Sequence, residues 1–234
     1  LVPCPKQGRS IRCQGQLEAA TAQVLVACPL VFRIEEQPLK IGYAWEEQPY
    51  RVWLLDGPPT SAYRKVHRTS YIVPDFLVTM QDGRKRLIEV KPSAKLGRSD
   101  VERKLTVGRM FSERHGWSFH VITDQELFSG PLFANVRLVN RFRRANLDEA
   151  MLSELAALVG PSGTMLAELA QRFTAVVPAI VRAAVLHLAA IGRLDFDPSA
   201  PFSETTRFFP GGTRPWVPFD SAWGPSGSST SGPI

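Results

Sequence analysis

The chain mixes two kinds of apolar spacing. From Gln16 to Cys28 the apolar positions Leu17, Ala20, Val24, Leu25 and Cys28 recur at helical intervals, whereas Leu77–Met80 and Leu87–Val90 are short apolar runs separated by polar residues. The first spacing predicts an amphipathic helix with Glu18 on the flank of its stripe, and the second predicts two strands. Between the strands, Gln81-Asp82-Gly83 supplies a turn, and Gly83 at a left-handed position makes it a three-residue hairpin loop. That loop pairs Met80 with Arg84. The same register sets Asp75 opposite Glu89, with Cβ atoms about 4.5–5.5 Å apart on one face.

A second helix is predicted from Ser99. Ser99-Asp100-Val101-Glu102 has the form of a capping box, Val101, Leu105, Gly108 and Phe111 share a face, and Gly116 stops the helix. The segment up to about Arg144 therefore reads as helix, strands, helix, strand, an α/β arrangement with a mixed sheet and a helix on each side. Beyond Asn146 the pattern changes to three short helices and a hairpin, a winged-helix-like α+β module. Asn146 with Glu149 caps its first helix, Gly163-Thr164 opens Met165–Phe173, and Pro178 begins the longest, which runs through Ile191 to Gly192. Arg193–Asp197 and Thr205–Phe208 are the expected wing strands. The longest helix offers only Arg182 and His187 as polar anchors, which suits protein docking or core packing better than groove readout. From Pro210 onward Gly, Pro and Ser dominate and a disordered tail is expected, with Trp216, Phe219 and Trp223 either a docking peptide or packed back on the domain. The expected domains are 1–145 and 146–209, followed by the tail 210–234.

Composition narrows the class. With 44% hydrophobic and 21% charged residues the 234-residue chain reads as an ordinary globular protein. It has no run long enough to span a membrane and no secretory signal at its start. A cytoplasmic protein is expected. Cys4, Cys13 and Cys28 are odd in number and lack Cys-x-x-Cys spacing, so neither a disulfide framework nor a zinc knuckle is indicated and free thiols are expected, and His67, His115, His120 and His187 lack metal-ligand spacing. The formal charge of +6 favours a polyanionic partner. Its cations cluster at Arg64-Lys65-His67-Arg68, at Arg84-Lys85-Arg86 and at Arg137, Arg141, Arg143 and Arg144. The first two groups are expected to flank the hairpin, and Arg98, Arg103, Lys104 and Arg109 to leave the second helix basic on its outer side.

The candidate chemistry lies on that hairpin. Two carboxylates as close as Asp75 and Glu89 repel unless a proton or a divalent cation lies between them, so the pair is costly as architecture and suited to a hard cation. Lys91, two residues beyond Glu89, falls on the same face. A Pro-Asp pair is common in turns and a Glu-x-Lys strand end is commonly solvated, but Glu89 sits within the apolar run Leu87-Ile88-Glu89-Val90, where an unpaired charge is expensive.

These residues resemble the PD-(D/E)xK nucleases, and Gln16 to Leu127 resembles more narrowly the TnsA-type endonuclease subunit of heteromeric transposases. Leu17-Glu18, Phe32–Pro38, Tyr71–Phe76, Ile88–Lys91 and Gly116–Asp124 carry the resemblance in order. The residue that is serine in many relatives shortly before the helix glutamate is here Gly15 or Gln16. The resemblance implies a restriction-endonuclease-like fold and a catalytic set of Glu18, Asp75, Glu89 and Lys91. It implies magnesium, replaceable by manganese, held by Asp75, Glu89, the Val90 carbonyl and Glu18. It further implies hydrolysis of the non-transferred 5′ strand at transposon ends, alongside a DDE-type transposase and an AAA+ ATPase regulator bound through the C-terminal domain. A stand-alone restriction or repair nuclease of the same fold and a non-catalytic adaptor bridging DNA and an ATPase remain the alternatives.

Overall fold

The structure, a computed structural model, describes residues 1–211, so Trp216, Phe219, Trp223 and the expected tail from 212 lie outside the described residues. Among the described residues the chain forms two compact units, one of Leu1–Ala22 with Val31–Gln125 and one of Gln23–Leu30 with residues 126–211.

The first unit starts with a small hairpin that the sequence reading did not anticipate, β1 (Val2–Cys4) against β2 (Arg9–Ile11). The expected first helix follows as α1 (Gln16–Ala27), of which the residues up to Ala22 belong to this unit, then β3 (Val31–Glu36), β4 (Ile41–Glu47), β5 (Tyr50–Leu54), α2 (Ser61–Val66) and β6 (Arg68–Ile72). β7 (Phe76–Met80), β8 (Lys85–Val90), α3 (Ser99–Arg114) and β9 (Ser118–Ile122) complete it. The main sheet has the order β3-β7-β8-β9, with β9 parallel to β8 and the other pairs antiparallel, so it is mixed as expected. A second antiparallel sheet, β5-β4-β6, carries a separate hydrogen-bond ladder.

β7 and β8 occupy the middle of the main sheet and are buried on both faces, which is why they read as near-continuous apolar runs. On one face Leu77 and Leu87 pack with Val107 of α3 and with Ile41, Tyr43 and Ile72 of the second sheet. Phe76, Val78 and Ile88 are buried on the other. The hairpin loop has the expected form, with Gly83 at φ +82° and the Met80 N–H donating to the Arg84 carbonyl at 2.8 Å. α3 lies close to β9 because Gly108 has no side chain: a Cβ there would meet the Phe119 ring at 2.4 Å.

The capping box expected at Ser99 does not form. Ser99 is already helical and Arg98 is the N-cap, without a side-chain cap, while its guanidinium reaches Asp100 at 3.0 Å.

The second unit contains α4 (Asp124–Phe128) from Glu126 on, α5 (Leu132–Phe142), α6 (Glu149–Ala157), β10 (Thr164–Met165), α7 (Leu166–Arg172), α8 (Pro178–Ala190), β11 (Leu194–Asp195) and β12 (Arg207–Pro210). α5 carries the third basic group: Leu132, Asn135, Val136 and Val139 are its buried side, and Arg137 and Arg141 are exposed. α8 begins at Pro178 and Gly192 turns the chain at φ +80°, as the sequence indicates. The cap of α6 is Asp148, whose carboxylate accepts the Met151 N–H at 2.8 Å, and not Asn146. Thr164 opens a short strand rather than a helix, because it pairs with Phe208 and produces the order β10-β12-β11. Pro210, expected to start the tail, pairs with Leu194 as the last residue of β12.

Candidate active site

The β7–β8 ladder runs from Thr79↔Lys85 to Phe76↔Ile88, and Asp75 and Glu89 stand one step beyond its last pair. They continue the row that contains Leu77 and Leu87. Glu89 is thus the end of an apolar row, and it is only 7% exposed. Its position needs a second charge nearby, and the period of two delivers one: the Lys91 ammonium lies 2.5 Å from Glu89 Oε1 and 3.9 Å from Asp75 Oδ2.

The backbone fixes the pair from three sides. Asp75 Oδ2 accepts the Val90 N–H at 2.7 Å, so the aspartate is tied to the strand that carries Glu89. The Asp75 carbonyl accepts the Gln37 N–H at 2.9 Å, from the end of β3, where Glu36 is clamped by Arg9 at 2.7 Å. The Lys91 N–H donates to the Ile122 carbonyl at 3.0 Å, which joins the lysine to β9.

Burial and then the charge of Glu89 push the Asp75 carboxyl up to about 7, against the opposing pull of the Val90 N–H and the Lys91 ammonium. Burial alone would lower the Lys91 ammonium, but Glu89, Asp75 and Glu18 outweigh it and raise it, so the lysine stays a cation. Asp75 and Glu89 could share a divalent cation in place of a proton. Glu89 Oε2 is buried and accepts no hydrogen bond, Asp75 carries more negative charge around it than it can easily hold, and all the donors are hard oxygens, a set that fits magnesium.

Glu18 is close enough to raise the proton affinity of Asp75, but its Oε2 accepts the Gln14 N–H at 2.7 Å. The structure does not gather it with the pair, and among the described residues no three His, Cys, Asp or Glu side chains are grouped to hold a metal. The Val90 carbonyl faces the Lys91 ammonium at 3.2 Å. Cys13, which the sequence reading left aside, also belongs to this neighbourhood: burial, then Glu18, Glu36 and Asp75, raise its thiol.

The basic groups are arranged differently from the expectation. Arg84, Lys85 and Arg86 sit at the turn, and Arg84 is about 16 Å along the strand from Glu89 at about 3.3 Å per residue. Arg84 is bound to Asp82, Lys85 lies over Trp117, and Arg86 is buried. Arg68 pairs with Glu47 and His67 with Glu46, while Arg103 covers the Trp45 ring at 4.3 Å. Much of the positive charge on these elements is therefore spent on the fold.

Comparison with curated protein sequences gives no match. Residues 28–124 match the family model described as the TnsA-like endonuclease N terminal, a span that includes Asp75, Glu89, Val90 and Lys91 and leaves out Glu18. Residues 28–124 of the chain are thus similar to the TnsA-like endonuclease N-terminal domain.

Proposed function

We propose that the protein is the magnesium-dependent endonuclease of a heteromeric transposase and hydrolyses the non-transferred 5′ strand at transposon ends. The observation that carries the reading is the juxtaposition of Asp75 and Glu89 with the Lys91 ammonium between them. When bound, magnesium, or manganese in its place, would supply charge neutralisation at the phosphate and a more acidic water. Asp75, Glu89 and the Val90 carbonyl would hold it, with Glu18 completing the set by releasing Gln14. Lys91, kept protonated by the two carboxylates, would orient the attacking water and stabilise charge on the phosphate oxygens.

The second unit is proposed as a winged-helix module that docks an AAA+ ATPase regulator. Two observations support docking over groove readout. On α8, Arg182 lies over the Phe202 ring at 5.1 Å, and His187 Nδ1 is bonded to the Phe142 carbonyl at 2.8 Å, so both polar anchors are used internally.

The test is strand cleavage of transposon-end DNA with magnesium and the partner DDE-type transposase present, comparing the parent with Asp75→Ala and Lys91→Ala. Loss of cleavage in both variants is expected. Equal cleavage by all three would overturn the assignment, and an inactive parent in every partner combination would favour a bridging adaptor.

A further inference from the structure

Within the first unit, a cleft of about 910 Å³ opens between the β4–β6 ladder, the loop after β5 and the C-terminal end of α3. Its size lies toward the upper end of the roughly 300–1,000 Å³ of ligand sites. Its chemistry has two parts. Lys40, Arg64, Arg114 and His115 face a single acid, Asp56, which Arg114 already engages at 2.6 Å. Lys40 and Arg64 have no carboxylate partner among the described residues, so the cleft keeps a surplus of positive charge.

The second part is aromatic. Tyr71 is 56% exposed although it lies in a strand, and the Lys40 ammonium sits 4.6 Å from its ring centroid. The His115 ring, which also lines the cleft, lies against Phe111 with centroids 4.1 Å apart and is held there by Nδ1 on the Phe111 carbonyl at 2.8 Å. An exposed aromatic side chain under an ammonium, in a cleft that a second cation, Arg64, also lines, is matched by a base with its phosphate. Bases inside a duplex have their faces covered, so such a cleft gains only from a base outside the stack.

Tyr71 is also joined to the candidate site. Three residues separate it from Asp75, and the four steps between them limit the two Cα atoms to about 14 Å. Ile72 and Pro74, between them, are buried, so this stretch is anchored to the core. A strand whose phosphate lies at Asp75 can therefore place a neighbouring nucleotide at Tyr71. We propose that this cleft binds an unstacked nucleotide of the DNA strand next to the cut, with Tyr71 and His115 against the base and Lys40 and Arg64 on its phosphates. The proposal rests on the nuclease reading for the identity of the strand, but its test does not require cleavage.

In an Asp75→Asn background, which binds without cutting, anisotropy titrations would compare a duplex with a splayed, unpaired end, the same duplex fully paired, and ATP as a free nucleotide. The splayed duplex is expected to bind more tightly than the paired one. Tyr71→Ala and Arg64→Ala should each weaken binding of the splayed duplex at least about five-fold, the lower end of what a stacked base contributes, while Tyr71→Phe keeps it. Equal affinity for splayed and paired DNA, or unchanged binding by Tyr71→Ala, would overturn the proposal. ATP binding that depends on Tyr71 without a preference for splayed DNA would also overturn it, in favour of a free nucleotide. Magnesium-dependent cleavage by the parent is scored separately, so a failure of the nuclease reading remains distinguishable.

Discussion

The Asp75 carboxylate accepts the backbone N–H of Val90 at 2.7 Å, which locks the aspartate to the strand that presents Glu89 and Lys91 on either side of that amide. The carboxylates therefore cannot relieve their repulsion by moving apart, and the strain must be met by a proton, the Lys91 ammonium or a cation.

The proton makes stability depend on pH. Asp75 is pushed up to about 7, above its value in the unfolded chain, by burial and by Glu89. The folded protein then holds a proton that the unfolded chain releases near pH 4, so this group's contribution to stability falls as pH rises from about 4 to about 7 and is level above that. Asp75→Asn is expected to stabilise the metal-free protein at pH 7.5 by up to about 4 kcal/mol, less whatever water screens, and to change little at pH 4. Urea denaturation in a chelator at the two pH values checks this. A difference that is the same at both would remove the electrostatic account.

A divalent cation competes for the same site. The apparent magnesium affinity is expected to fall about ten-fold per pH unit below 7, because one proton must leave Asp75 for each ion bound. In thermal melts at pH 8, saturating magnesium at about 100 times its dissociation constant should stabilise the parent by about 2.7 kcal/mol. Asp75→Asn should lose most of that gain, and a magnesium response retained in this variant would place the ion elsewhere.

Lys91 and Glu89 should behave as one unit. Lys91→Ala leaves a buried carboxylate without its cation and is expected to cost on the order of 1–3 kcal/mol of metal-free stability, as a buried charged group deprived of its partner does. Glu89→Gln added to Lys91→Ala should restore much of it, while cleavage stays at background in both. A double-mutant cycle on chemical denaturation reads the coupling, and strict additivity would show that the 2.5 Å contact contributes nothing.

The hairpin, its register and the same-face lysine were legible because strand pairing has a period of two and Asp82-Gly83 admits few loops. α8 was legible for a similar reason, since Pro178 and Gly192 are strong local stops. What could not be read depended on distant partners. Glu18 was expected to face the pair, but the nearby Gln14 N–H takes its carboxylate, a choice that apolar periodicity does not encode. The cap of α3 went to Arg98 although Ser99 has the better chemistry, and the β1–β2 hairpin is too short for an alternation signal. The turn cluster of Arg84, Lys85 and Arg86 was misplaced because runs of charge give no hint of which partners, here Asp82 and Trp117, absorb them.

The register itself is open to test at Gly83. Its φ of +82° suits glycine, and a Cβ there would meet nothing within 4 Å, so the cost of a side chain is purely one of backbone. Gly83→Val is expected to lose about 1–2 kcal/mol and Gly83→Asn less, with cleavage by both retained well below their melting temperatures. One alanine inserted after Gly83 does something different. If the strands re-pair around the longer loop, a one-residue slip sends Glu89 to the opposite face from Asp75 and abolishes cleavage even in protein that remains folded. Circular dichroism and strand cleavage measured on the same samples separate the two effects. Full cleavage by an insertion variant whose β7–β8 pairing has slipped by one residue would show that opposition of Asp75 and Glu89 is not what the reaction requires.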